Sequence, residues 1–345
     1  MKGKRGNKAC IIGAGAWGSA MAVVLSDNGY DVTLWARSEA TVRCFEANRG
    51  VPRLPGTALP ENIAVTTDVD QALSGASLVV SAIPSSALGQ VAREIAGRLP
   101  DDALVVTATK GFDLETLRRP SQVWIDANPS LKHRMCVISG PNFAAEIAQR
   151  LPAATVVAAS EESTRLAVQH AFMTKYFRVY THVDVTGVEI GGALKNVIAL
   201  ACGMAQGMGA GYNIQAAIIS RGIAEISRLG VALGAQPLTF SGLSGLGDLV
   251  LTCTGHLSRN RQAGIAVGQG ESIHGFLART GYTVEGLETV KAATQLSSTC
   301  DVQMPITDVV YRILYEGLPP HKGLYEAMSR ERKPEVEEHL LKFLA

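Results

Sequence analysis

One lysine stands inside a run of small and apolar residues, Gly191-Gly192-Ala193-Leu194-Lys195-Asn196-Val197-Ile198-Ala199-Leu200. At helical spacing Gly191 and Gly192 fall four and three residues before Lys195, on the same face and about one turn away. Two adjacent glycines cost a helix about 1–2 kcal/mol relative to alanine, so they imply close approach by another group. An amine held there is partly desolvated, which favours its neutral form and lowers its pKa. Such a group takes a proton from an alcohol, or gives one to a carbonyl, near neutral pH. A lysine snorkelling from a helix edge is the plainer alternative.

A second stretch, residues 242–260 (GLSGLGDLVLTCTGHLSRN), carries one acid, Asp248, and closes on Ser258-Arg259-Asn260. Gly242, Ser244, Gly245 and Gly247 crowd its start, too many breakers for a stable helix or strand, so a rigid loop is expected. One acid, one guanidinium and several short hydroxyls suit an anionic, hydroxylated small molecule. Asp248 is placed either to pair with Lys195 or to bind a substrate hydroxyl.

The third element is Gly13-Ala14-Gly15-Ala16-Trp17-Gly18, with the G-x-G-x-x-G spacing directly after an apolar strand and at the start of a helix. Gly13 permits the tight turn, Gly15 lets a pyrophosphate approach the backbone, and Gly18 lets helix and strand pack closely. Helix N-terminal N–H groups then face the phosphates. The second strand ends in Arg37-Ser38 where an NAD site usually has an acid. A cation and a hydroxyl there suit a 2′-phosphate, favouring NADP(H) and leaving NAD(H) open. Glu39 is assigned to the next helix. Lys110, beside Gly111 at a strand end, and the turn Ser139-Gly140-Pro141-Asn142-Phe143-Ala144 point at the same crevice, as does Pro84-Ser85-Ser86.

Positioning these groups requires strands at Lys8–Ile12, Asp31–Ala36, Ser77–Ile83, Ala103–Thr109, Met135–Ser139 and Ala154–Ala159, alternating with helices such as Ala16–Asn28. That alternation predicts an α/β fold with a parallel, doubly wound, Rossmann-type sheet. After about residue 184 the pattern is helical throughout: Val185–Met208, Asn213–Leu233, Ser258–Val267, Val284–Leu296 and Ile306–Tyr315. The expected division is a dinucleotide domain over 1–185 and an all-α substrate domain over 186–345. The charged run Arg330 to Glu338 reads as a solvated terminal helix.

Composition narrows the partners. The 345 residues hold 32 Lys+Arg against 31 Asp+Glu, a formal net charge of +1, so no global field draws the chain to nucleic acid. With 47% hydrophobic and 18% charged residues it is a compact globular protein. Its six cysteines show no C-x-x-C and most lie in apolar surroundings, as in a reduced cytoplasmic protein. Seven histidines without H-x-x-x-H give no reason to expect a metal. Lys2, Lys4, Arg5 and Lys8 ahead of the uncharged Ala9–Ser26 imitate a signal peptide, but the glycine fingerprint and the βα pattern argue against one. No stretch reads as a membrane span. The apolar helices and the Gly203–Gly211 run suit either a homodimer interface or a buried core.

The motifs GAGAWG (13–18), TKGF (109–112), SGPNFA (139–144), GGALKN (191–196), SGLSGLGDLVLTCTGHLSRNR (241–261) and TVEG (283–286), in this order, resemble the bacterial-type NAD(P)-dependent sn-glycerol-3-phosphate dehydrogenases. The resemblance spans about residues 10–290. It implies reversible reduction of dihydroxyacetone phosphate to sn-glycerol 3-phosphate for glycerophospholipid synthesis, with Lys195 as the proton-transfer residue. It further implies that Lys110, Gly140, Asn142, Asp248, Ser258, Arg259 and Asn260 hold the substrate. Ala16, Trp17, Arg37, Lys110, Ala144, Arg259, Val284 and Glu285 match cofactor contacts. Asn142 stands where many relatives have serine or threonine, and Arg53 where many have tyrosine. Reductases of β-hydroxyacids or ketopantoate, which also use a helix lysine, and a redox-sensing regulator without turnover are the rival readings.

Overall fold

A computed structural model describes residues 7–54, 56–332 and 335. Six strands, β1 (Lys8–Ile12), β2 (Asp31–Trp35), β3 (Ile63–Thr66), β4 (Leu78–Ser81), β5 (Leu104–Thr107) and β6 (Met135–Ser139), run parallel in the order β3-β2-β1-β4-β5-β6. Pairings Ile12↔Trp35, Ile12↔Ser81 and Ser81↔Thr107 bring the carboxyl ends of the central strands level. Their neighbours are α1 (Ala16–Asp27), α2 (Glu39–Asn48), α3 (Val69–Leu73), α4 (Ser85–Ile95) and α5 (Pro120–Ala127). Alternate strand residues fill two cores. Val80 and Val106 pack on the α1 side, and Val79 and Val105 pack with Leu88, Val91 and Trp124 of α4 and α5.

The sheet departs from the expected all-parallel arrangement at its far edge. Between β6 and β7 (Ala153–Ala158) the chain makes only the short α6 (Ala144–Ala148), and the two strands pair antiparallel. The five-residue α6 is too short a crossover helix to carry the chain back along β6 for a parallel return. After α7 (Glu162–Phe172), β8 (Phe177–His182) adds parallel to β7. Neither β3 nor β8 was anticipated, although the alternating burial of Phe177 to Tyr180 is written in their residue types.

From Val185 onward every regular element among the described residues is helical. They are α8 (Val185–Gly207), α9 (Tyr212–Ala232), α10 (Asp248–Thr254), α11 (Arg259–Gly268), α12 (Ile273–Thr280), α13 (Glu285–Thr299), α14 (Pro305–Tyr315) and α15 (Pro320–Met328). Helix α8 is the axis. It is long and apolar enough to cross a membrane, yet its apolar stretch is wholly buried inside the protein. Asp184 caps it, accepting from the Gly187 N–H at 2.8 Å, and its second oxygen accepts from Gln236 N at 2.8 Å and Thr239 Oγ1 at 2.6 Å. Gly203 and Gly207 face Gly264 and Gly268, so α8 and α11 touch backbone to backbone; a Cβ at Gly264 would be 2.9 Å from Met204 N. Those glycines of the 203–211 run serve the core. The terminal-helix expectation over 330–338 falls largely outside the described residues, as do Lys2, Lys4 and Arg5; Arg330 itself lies beyond α15.

The two halves share a core. Phe112, eight residues after the start of β5, is 2% exposed and packs with Ile190, Leu194, Ile226 and Leu229 of α8 and α9. Leu117 joins the same cluster from a left-handed conformation, φ 55°. The loop after β5 therefore belongs by sequence to the sheet and by packing to the helices.

Candidate active site

The largest correction concerns residues 242–260. Instead of a loop, Leu243–Gly247 form one π-helical turn that runs into α10, and Ser258 opens α11. The glycines act here as spacers rather than breakers. A Cβ at Gly245 would sit 2.5 Å from Phe240 Cα, and one at Gly191 would sit 2.5 Å from Ser244 O. π-turns of this kind are frequent at functional sites.

This close approach brings Asp248 onto α8. The carboxylate is fully buried, and its two oxygens serve two lysines. Oδ1 accepts from Lys195 Nζ, while Oδ2 accepts from Lys110 Nζ at 2.6 Å. Asp248 thus pairs with the lysine, one of the two roles open to it. Thr252, one turn along α10, places Oγ1 2.8 Å from Lys195 Nζ and donates its own proton to the Asp248 carbonyl at 2.6 Å. Lys110 also donates to Gly140 O at 3.3 Å. Gly192 leaves room for this: a Cβ there would meet Ser139 Oγ at 2.5 Å and Lys110 Cδ at 3.7 Å.

Lys195 is 7% exposed, and burial pushes its pKa down to about 8. The Asp248 carboxylate opposes that fall and the Lys110 ammonium adds to it. Glu285, at the start of α13, is pushed up by burial against the pull of Lys110, Lys195 and Arg259, and it accepts from Asn196 Nδ2 at 3.4 Å.

Lys195, Lys110, Thr252 and Glu285 line one crevice of about 420 Å³ between the strand ends and the helices, and Asp248, an expected substrate contact, lies behind them outside its lining. Gly13, Gly15, Ala16, Trp17 and Ala144 line its sheet side, and Lys110, Asn142, Lys195, Ser258, Arg259, Asn260 and Glu285 are among the rest of its lining. Ser258 Oγ caps α11 at Arg261 N, 3.2 Å, and Arg259 lies over the Tyr282 ring with its guanidinium carbon 5.4 Å from the centroid. Asn260 spends its amide on Asn196 Oδ1 and Gly286 N, both at 2.9 Å, which ties α11 to α8 and α13. Asn142 donates to Pro141 O and Ala154 O, both at 2.9 Å, and leaves Oδ1 a buried acceptor without a partner.

Other expected positions lie outside this lining. Gly18 packs against Gly13 O, where any side chain would overlap the turn, and Val284 is buried in the helical core. Gly140 sits behind Lys110 against Thr155. Arg37 is exposed at the end of β2, and Ser38 caps α2 through Ala40 N at 3.2 Å. Sequence reasoning passed over Asn196 and Thr252; for Thr252 the i, i+4 spacing from Asp248 was the available signal. Arg53 lines the crevice too.

The sheet side fits a dinucleotide. A Cβ at Gly15 would meet nothing within 4 Å, whereas one at Gly13 (φ 114°) would strike Ala82 O at 2.6 Å. Gly15, Ala16 and Trp17 line the crevice and Gly15 offers no side-chain cap to α1, so the free N–H groups at that helix start are available to a phosphate. Trp17 Nε1 is a buried donor without a partner beside them. For metals, no group of three or more His, Cys, Asp or Glu that could hold an ion occurs among the described residues.

A Rossmann-type sheet closed by helices that carry a buried lysine defines a two-domain dinucleotide-dependent oxidoreductase. Residues 8–165 match the N-terminal part of the NAD-dependent glycerol-3-phosphate dehydrogenases, and residues 184–325 match the C-terminal part. The chain belongs to this family. A glycerol-3-phosphate dehydrogenase [NAD(P)+] of Symbiobacterium thermophilum is 47% identical over 328 residues, 95% of each chain. One from Mycobacterium tuberculosis is 47% identical over 326 residues, 94% of this chain and 97% of that one. Among solved structures, glycerol-3-phosphate dehydrogenase of Coxiella burnetii superposes with a TM-score of 0.90 at 34% identity, covering 94% of this chain and all of that one. A ketopantoate reductase of Ralstonia eutropha, at 16% identity and TM-score 0.58, shares the fold alone.

Proposed function

We propose that this protein reduces dihydroxyacetone phosphate to sn-glycerol 3-phosphate, reversibly, with a nicotinamide cofactor, and so feeds glycerophospholipid synthesis in the cytoplasm. The observation that carries this reading is the Lys195–Asp248–Lys110 arrangement at the meeting of a dinucleotide crevice and the Arg259 helix start. NAD(P)H supplies the hydride.

The chain's own residues do the rest. Lys195, poised near neutral by burial, donates its proton to the ketone oxygen as negative charge develops there. Asp248 and Thr252 fix the direction of Nζ, and Lys110 adds a second positive charge toward the same oxygen. Arg259 and the N–H groups at the start of α11, capped by Ser258, grip the substrate phosphate. Asn142 Oδ1 is the free acceptor for a substrate hydroxyl. Residues 1–185 hold the dinucleotide, and 186–345 complete the substrate side. NADP(H) is favoured because Arg37, at the end of β2, makes no ion pair with any described residue and is available to a 2′-phosphate.

The direct experiment is NAD(P)H oxidation with dihydroxyacetone phosphate and identification of glycerol 3-phosphate as product. No oxidation above background in purified protein rejects the reading.

A further inference from the structure

Helix α8 carries a second buried ionisable group that the proton transfer does not use. Glu189 is 5% exposed, and three donors from one short segment converge on it: Arg119 Nη1, Ser121 N at 2.7 Å and Ser121 Oγ at 2.7 Å. That segment is the end of the loop that begins at Lys110 and the first turn of α5. Phe112 and Leu117 sink the middle of the loop into the helical core. Apolar packing of this kind sets depth but is non-directional. Hydrogen bonds to a buried carboxylate set register.

The contacts close a circuit. Lys110 meets Asp248, Asp248 meets Lys195 on α8, and Glu189 on the same helix holds Arg119 at the other end of the Lys110 loop. Lys195 lies six positions after Glu189, about 9 Å along a rigid helix axis. We propose that Glu189 is a positioning residue: by holding Arg119 and Ser121 it fixes the Lys110 loop so that both lysines meet the two oxygens of Asp248. This inference rests on the proton-transfer role given to Lys195 above.

The consequence is electrostatic. Lys195 faces Asp248 and the Cys253 thiol of α10, Lys110 after β5, and Glu285 of α13, which also faces Arg259 of α11; Cys202 on the same helix faces Cys253. Glu225 of α9 faces α14 instead, bonding Ile306 N and Thr307 N. Glu189 faces Arg119, while Arg118 and Asp126 pair with each other at 3.5 Å. Of these groups, only Lys110 is tethered through Glu189. If the tether is cut, Lys110 leaves the shared carboxylate and Lys195 keeps Asp248 to itself. Water entering the loosened joint acts in the same direction. Both effects raise the proton affinity of Lys195.

The test is the pH dependence of kcat/KM for ketone reduction in Glu189→Gln, Arg119→Ala and Arg119→Lys, with NADPH affinity measured by fluorescence titration. The descending limb assigned to Lys195 is expected to move up by at least half a pH unit in Glu189→Gln and Arg119→Ala, with NADPH affinity within twofold of wild type. Arg119→Lys is expected to return it most of the way. If Glu189→Gln does not fold, the Arg119 pair reads the same shift. Limbs that coincide with wild type while melting temperature and kcat fall together overturn the positioning role. A wild-type enzyme inert toward dihydroxyacetone phosphate in the same buffers rejects the functional reading instead.

Discussion

Lys195 and Lys110, which reach the site from α8 and from the end of β5, bind opposite oxygens of one buried carboxylate. Two ammonium groups this close repel, and only the attraction of both to a full negative charge between them offsets that cost. Asp248 therefore does more than orient Lys195: it allows a second cation into the site. The arrangement concentrates positive charge where an alkoxide forms and still leaves Lys195 able to release a proton.

Removing Lys195 should separate chemistry from binding. Lys195→Ala is expected to lower kcat by about 10²–10⁴-fold, the usual span for a lost general acid. NADPH affinity, read by fluorescence titration, should change far less, because the sheet side of the crevice is untouched. Turnover at the wild-type rate would remove Lys195 from its role.

The direction of reaction should set the sign of the pH dependence. Ketone reduction needs the ammonium form of Lys195, so kcat/KM falls as pH rises through about 8. Alcohol oxidation needs the amine, so it rises across the same window. Paired pH profiles in both directions check this, and parallel profiles would contradict a shared acid–base group.

Arg37→Ala should weaken NADP(H) by at least tenfold and NAD(H) by much less, measured as dissociation constants for both reduced cofactors. Equal losses would reject the 2′-phosphate contact.

Part of this site was legible in the sequence and part was not, for a physical reason. The Gly13–Gly18 fingerprint and the Gly191-Gly192-Lys195 spacing are local patterns: a turn and one helix face encode them. The π-turn was misread because Gly242, Gly245 and Gly247 were weighed as helix breakers, whereas at Gly245 and Gly191 the missing side chain is what lets two backbones meet. The Lys110–Asp248 contact joins residues 138 apart, and the Arg119–Glu189 contact joins residues 70 apart. No periodicity in the chain records such pairings. The antiparallel β6–β7 edge was hidden similarly, since the run of valines is the same for either direction.

The α8–α11 joint gives a stability test far from the chemistry. At Gly264 a methyl group would overlap Leu200 O and lie 3.0 Å from Gly203 Cα. Backbone atoms cannot move aside as a flexible side chain can. Gly264→Ala is expected to destabilise by about 1–3 kcal/mol, the cost of overpacking, despite alanine's better helix propensity. Urea denaturation measures it, and unchanged stability would show that the helices separate freely.

Glu225 makes stability itself depend on pH. It is 2% exposed on α9 and caps α14 from outside, accepting from Ile306 N at 2.6 Å and from Thr307 N and Oγ1, both at 3.2 Å. Burial raises its pKa from 4.5 to about 7, more than these donors and Arg228 lower it. A carboxyl raised on folding contributes stability that is complete below the unfolded value and is lost as pH climbs through the folded one. The window is therefore pH 4.5 to 7, and the loss is about 3 kcal/mol by pH 8. Glu225→Gln keeps an acceptor for Ile306 N but cannot ionise. Unfolding free energies from urea titrations at pH 5 and pH 8 should show wild type losing ground to Glu225→Gln as pH rises. A constant difference between the two proteins at both values would mean that Glu225 stays in one protonation state throughout.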